Sequence, residues 1–265
     1  MLKHTLSDKQ SMSLPEHDSY DYIPGEAKCG LILLADHAGA NVPEGYGSLG
    51  LGPDQFKRHI AYDIGVREVV MGIAAALGAP LLMGKYSRLF IDLNRGIDDP
   101  TLIMRLSDGA VVPGNLNVDA EERAHRVKHF FQPYHDAVDM LIDHHVRNDI
   151  APVLLSVHSF TPAWKGVARP WHASVLWDRD DRLVRPLLKG MRAEEGHYIG
   201  DNVPYSGELA GDTLNSHGTR RRVAHALIEI RQDLIGQEEG QREWVDRISR
   251  IIADIMDDEN FRQTL

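Results

Sequence analysis

Apolar residues along the chain gather into short unbroken runs, separated by stretches with a helical repeat. Residues 30–35 are an apolar run without alternation, the pattern of a parallel strand buried on both faces, and residues 152–157 are a second strongly apolar strand. Residues 79–83, 173–177 and 226–231 read as further strands, and residues 87–95, which carry charges, as another. Apolar positions at Phe56, Ile60, Ile64, Val69, Val70, Ile73 and Leu77 recur with a helical period. A helix is therefore predicted over about 53–78, opened by Pro53 and Asp54. A longer helical stretch covers 119–148, kinked or broken at Pro133, and two more helices cover 180–195 and 243–257. Residues 96–118, rich in Gly, Pro and Asn, read as a loop. Strands alternating with helices predict an α/β fold, a mainly parallel mixed sheet flanked by helices in a single domain. That domain is placed over 29–265, after a polar, loosely ordered N-terminal arm at 1–28 without the apolar stretch of a signal peptide. No apolar run is long enough to span a bilayer.

Charge narrows the choice of partners. The 265 residues include 29 Lys+Arg against 39 Asp+Glu, a net charge of −10. That balance excludes nucleic acid and anionic membranes as the main partners. An anionic small molecule would need a local cluster of arginines. Cys29, the single cysteine, has no partner for an internal disulfide, which fits a reducing cytoplasm. Nothing in the pattern specifies an oligomeric state.

The candidate chemistry sits at strand ends. His37 and His158 each follow an apolar strand at its carboxyl end, where open α/β sheets place their ligand crevice. Asp63 falls on the inward stripe of the predicted first helix, where a lone carboxylate is costly. It is either half of a buried ion pair with an arginine or the third member of a two-imidazole, one-carboxylate set. Three protein ligands with an open fourth position suit catalytic zinc. Glu229 and Arg231 share one strand face. At a sheet edge both would simply be solvated, whereas beside a metal the glutamate would serve as general base and then acid. Arg88, Arg95 and Arg231 are candidates to clamp a substrate carboxylate with their fork of donors, or else partners for Asp63 or Asp92.

Other patterns carry less. Residues 45–50 fit the dinucleotide glycine fingerprint literally, but nine residues including Pro43 separate them from the strand, so they read as a loop. His125 and His129 lie among Arg123, Arg126 and Lys128 and read as a solvated helix face, as do His144 and His145. Cys29 has no local activating motif.

Six motifs, in order, resemble the N-formylglutamate amidohydrolase family: residues 36–39, 59–65, 87–95, 156–160, 202–207 and 228–234. The resemblance implies a zinc-exopeptidase-like (phosphorylase/hydrolase-like) fold, similar to zinc-dependent carboxypeptidases and cell-wall amidases. It implies hydrolysis of N-formyl-L-glutamate, or a related N-acyl amino acid, to formate and L-glutamate, the closing step of one route of histidine degradation. It places one Zn2+, or another divalent ion, on His37, Asp63 and His158, with Glu229 as the catalytic carboxylate. Arg88, Arg95 and Arg231 match positions suited to substrate carboxylates, and Asn94, Ser159 and Tyr205 within the motifs are implied in substrate binding. Asp36 stands where the best-known branch has proline, and residues 107–109, 113–115 and 169–172 resemble a less-studied branch. A carboxypeptidase or cell-wall amidase on the same scaffold, and a non-catalytic acyl-amino-acid binding protein, are the competing expectations. Glu229 separates the last of these, since a binder needs no carboxylate beside the metal.

Overall fold

The computed structural model describes residues 12–25 and 30–265. The chain opens with β1 (Tyr20–Ile23) and β2 (Leu31–Ala35), then α1 (Val66–Leu77) and β3 (Leu81–Gly84). A small hairpin, β4 (Leu106–Ser107) and β5 (Ala110–Val111), precedes α2 (Ala120–Arg126) and α3 (Gln132–Arg147). After β6 (Val153–Phe160) come a second hairpin, β7 (Ala163–Trp164) and β8 (Val167–Ala168), then β9 (Ala173–Leu176), α4 (Val184–Arg192) and β10 (Ile199–Asp201). The chain closes with β11 (Ala224–Arg231), α5 (Gln232–Ile235), α6 (Glu238–Asp257) and α7 (Glu259–Arg262).

Seven strands form one sheet in the order β1-β3-β2-β6-β11-β9-β10. Strands β3, β2, β6 and β11 run parallel, and β9 and β10 run the other way, so the sheet is mixed. Leu31, Leu33 and Ala35 pack with Val69, Ile73, Ile248 and Ile252 of α1 and α6. Ile32 and Leu34 alternate to the other face, where Val138, Leu141 and Ile142 of α3 cover them. Both faces are buried, which is why these strands read as unbroken apolar runs. No helix among the described residues is long and apolar enough to cross a membrane.

The structure departs from the sequence reading where turns override periodicity. The first helix is not continuous from 53: a short 3-10 turn covers Pro53–Lys57 and α1 begins only at Val66. Gly65 has φ 78°, and a Cβ there would meet the Ile235 carbonyl oxygen at 2.1 Å, so the chain must turn before the helix starts. Asp63 therefore sits in the turn leading into α1, not on its stripe. Residues 87–95 form successive turns rather than a strand, with the Phe90 N–H donating to the Ser87 carbonyl at 2.8 Å. Leu89, Phe90, Ile91 and Leu93 are all buried, so this segment has no solvent face to alternate against. The 119–148 stretch does break ahead of Pro133: a π turn, Val127–Phe131, widens the backbone and places Pro133 in the first turn of α3. In the expected arm, Tyr20–Ile23 joins the sheet antiparallel to β3, while residues 1–11 and 26–29, Cys29 included, lie outside the described residues. His145 is not a surface residue but buried, its Nδ1 on the Leu141 carbonyl at 2.8 Å.

Arg126 pins the turn segment in place. Fully buried, it donates to the Phe90 carbonyl (2.9 Å), Asn115 Oδ1 (2.8 Å) and Glu122 Oε1 (2.6 Å), and its guanidinium lies over the Phe90 and Tyr46 rings. Arg126→Met fills the volume but leaves those acceptors without a donor. The expected loss is about 2–4 kcal/mol of unfolding free energy in a denaturant titration. A loss below about 0.5 kcal/mol would show that the contacts do not hold the segment.

Candidate active site

His37 lies two residues beyond the end of β2, and His158 near the end of β6. Glu229 on β11 is in register with His158 on the adjacent parallel strand. Because β11 lies between β6 and β9, it is an interior strand, and the edge reading of Glu229 falls away. Asp63 is brought in by its turn, where its N–H donates to the His37 carbonyl at 2.9 Å.

His37, Asp63 and His158 each turn one ligand-capable atom toward a common point, all within 4.8 Å of one another, and all three residues are buried. Asp63 Oδ2 lies 2.9 Å from His158 Nδ1 and 3.5 Å from His37 Nδ1. The remote ring nitrogens face outer carboxylates: His37 Nε2 is 2.6 Å from Asp92 Oδ1, and His158 Nε2 is 3.0 Å from Asp36 Oδ2. That arrangement fixes both rings as Nε2–H donors and aims both Nδ1 atoms inward, the carboxylate–histidine support usual around metals. His37 Nδ1 is buried without any hydrogen-bond partner. An orphaned imidazole nitrogen, a second imidazole and a carboxylate oxygen converging out of solvent fit a divalent cation, with zinc well matched to the donors.

The electrostatics point the same way. Burial opposes ionisation of Asp63, but the adjoining His37 and His158 outweigh it and hold the carboxyl well below the usual range. Burial likewise disfavours charge on His158, yet the Asp36 and Asp63 carboxylates push it well above the ordinary histidine value. Concentrated negative charge of this kind attracts a cation. Glu229 behaves differently. Burial, reinforced by Asp63 and partly offset by His158, Arg88 and His37, raises it to about 7, and its Oε2 has no hydrogen-bond partner.

A cavity of about 410 Å³ opens onto the cluster and Glu229. Arg88 lines it, but its guanidinium is already engaged by Asp92 (2.9 and 3.2 Å) and Asp63 (3.5 Å), so the ion-pair reading of this arginine holds. Arg95 also lines it, donates to the Asn94 carbonyl at 2.8 Å and pairs with no carboxylate among the described residues. Asn94 and Tyr205 line the wall; the Asn94 Oδ1 accepts the Thr213 N–H, and Tyr205 is at the exposed rim. Ser159 is present, but its hydroxyl donates to the Ile64 carbonyl and accepts from Gln232. Arg231 is not brought to the cavity. It turns away to Asp233 (2.7 Å) and to the carbonyls of Arg169 and Trp171.

Sequence reasoning missed the support of the site. The Thr213 hydroxyl donates to Asp36 Oδ1 at 2.6 Å, and Asp212, raised to about 6 mainly by burial, lies on the cavity wall. Asp36, adjoining His37 at a strand end, carried a signal in its position. Thr213 carried none, since 177 residues separate it from its partner.

The mixed α/β sheet carries this cluster and cavity at its strand ends, and the family that the sequence matches is one of amide-bond hydrolases. Residues 29–236 match the N-formylglutamate amidohydrolase family, and the chain belongs to that family. A solved gene product of Agrobacterium tumefaciens superposes with a TM-score of 0.84 at 30% identity, over 89% of this chain and 94% of that one. The N-formylglutamate amidohydrolase of Ralstonia eutropha shares the fold at a TM-score of 0.74 and 21% identity, over 93% of this chain and 99% of its own. Curated protein sequences gave no match.

Proposed function

We propose that the protein is a zinc-dependent cytoplasmic amidohydrolase that cleaves the amide of an N-formyl acidic amino acid, N-formyl-L-glutamate above all. The observation that carries this reading is Glu229: a buried carboxylate with a free oxygen, poised near neutrality, across one strand pair from the His37–Asp63–His158 cluster. A zinc ion held by those three residues supplies Lewis acidity toward the amide carbonyl and toward water. Glu229 takes a proton from the attacking water as its oxygen bonds to the formyl carbon, then returns that proton to nitrogen as the C–N bond breaks. Formate and the free amino acid leave. Arg88, held rigid by Asp92, offers its positive charge where the carbonyl oxygen becomes negative. The two outer carboxylates keep the histidine rings from turning.

Arg95 is the anchor for a substrate carboxylate, because it is the cavity arginine not engaged by an acidic side chain among the described residues. The net charge of −10 does not prevent this, since screening over about 8 Å confines remote repulsion at physiological salt. Arg95→Lys should hurt nearly as much as Arg95→Ala, because a point charge does not reproduce the fork. Both are expected to reduce kcat/KM for N-formylglutamate about 10–100-fold while sparing substrates without a side-chain carboxylate more. A screen of N-acyl amino acids for released amine, run with metal analysis, tests the whole reading. Turnover of none of N-formylglutamate, N-formylglutamine and N-formylleucine by zinc-loaded protein would overturn it, and equal kcat/KM for all three, which share the α-carboxylate, would remove only the selection for a side-chain carboxylate.

A further inference from the structure

Behind the cavity wall lies a second histidine pair that the chemistry above does not use. His135 of α3 and His217 of the 215–219 turn stack with ring centroids 5.1 Å apart, and both are buried. His135 Nδ1 is 2.8 Å from His217 Nε2, His135 Nε2 is 3.0 Å from the Leu93 carbonyl, and His217 Nδ1 is 2.9 Å from Asp139 Oδ1. A carbonyl and a carboxylate at the two ends only accept. Three hydrogen bonds in line therefore require three protons on four ring nitrogens, one more than two neutral rings carry. The pair is an imidazole and an imidazolium. The carboxylate of Asp139 faces His217 and a neutral carbonyl faces His135, so the geometry places the charge on the His217 side; burial, with His217 next, pushes His135 down to about 4.

The clasp joins the two segments that support the cluster. Leu93 follows Asp92, the carboxylate on His37, and its carbonyl also lies 3.3 Å from the Thr213 hydroxyl. Thr213 in turn holds Asp36, the carboxylate on His158. We propose that His135 and His217 are positioning residues whose shared third proton fastens the 92–95 and 211–219 segments together, so that the outer support of the active site is firmest when the pair is charged. The charged groups facing the pair are Asp139 and Asp143 of α3, Arg220 and Arg221 after the turn, Asp98 and Asp99 of the facing loop, and Asp36 beyond Leu93. Arg221 bridges Asp139 and Asp143, keeping the Asp139 carboxylate fixed on His217.

Raising the pH removes the shared proton and one of the three bonds, so the clasp loosens on the alkaline side. This rests on the active-site reading for its effect on turnover, but its existence is tested without turnover. Imidazole 15N NMR of the full chain at pH 6 should show His217 protonated on both nitrogens, His135 as the Nε2–H tautomer, and a coupling across the bond between them. Asp139→Asn should move the loss of the His217 proton down by about one pH unit or more, since the opposing charge is gone. Two neutral rings at pH 6, or an unmoved midpoint in Asp139→Asn, would overturn the proposal. In kinetics, His217→Gln relative to wild type should show a deficit several-fold larger at pH 6 than at pH 8.5. A deficit equal at both pH values marks a structural contact only and overturns the proton's role. Should the His217 variant not fold, the Asp139→Asn titration still decides, because Asp139 is half exposed. A chain that hydrolyses no N-acyl amino acid but shows the charged pair would sink the function and leave the clasp.

Discussion

Replacing Glu229 with glutamine is expected to lower kcat for N-formylglutamate by about 10²–10⁴-fold, with metal content and fold unchanged. Glutamine keeps the shape of the side chain and removes its capacity to take and return a proton. Because Oε2 has no hydrogen-bond partner, the exchange breaks no contact in the fold. The effect should therefore fall on kcat and kcat/KM together, as for an interaction made in the transition state. The pH profile gives an independent check. Burial holds Glu229 near 7 in the metal-free chain, and only the ionised form accepts a proton, so activity rises with pH through its pKa. A divalent cation nearby favours the carboxylate and moves that rise below 7. The rise should vanish from the residual activity of the glutamine variant. Near-normal kcat in that variant would remove Glu229 from the chemistry and favour a binding protein.

Loss of the metal should cost a comparable amount or more. His37→Ala deletes a ligand and leaves Asp92 without its imidazole partner. Metal content is expected to drop from about one ion per chain to a small fraction of that at micromolar zinc. Removing one electrostatic donor from a transition state costs about 10²–10³-fold, so losing the whole ion should exceed about 10³-fold. Chelation of the wild type should do the same reversibly and lower Tm, since the folded state alone offers the assembled site. Full activity after chelation, with metal shown absent, would refute the metal assignment.

Much of this was legible in the chain because burial writes itself plainly into parallel strands. β2, β6 and β11 are buried on both faces and largely apolar, and their ends locate His37, His158 and Glu229. Asp63 was found by a wrong route. Its neighbours fit a helical repeat, but Gly65 forces a turn, and the residue reaches the cluster through its backbone bond to His37. Arg231 misled for a related reason. Two residues on one strand do share a face, yet Arg231 ends its strand, where a long side chain swings to Asp233 two residues on. The outer shell was invisible because each link joins segments far apart in sequence: 120 residues between Leu93 and Thr213, 82 between His135 and His217. Local patterns carry no record of such meetings.

The antiparallel strand β1 has a further consequence. It lies ahead of the region matching the family, yet it pairs along the whole of β3, from Tyr20 against Gly84 to Ile23 against Leu81. Without it, β3 would become the border of the sheet, four fully buried residues presenting unpaired amides and carbonyls to any passing chain. A chain shortened only at its front, to begin at residue 29, would keep every active-site residue named above and still be prone to stick edge to edge. The leading segment thus works as a selvedge: it finishes the cloth and keeps one molecule from being woven into the next.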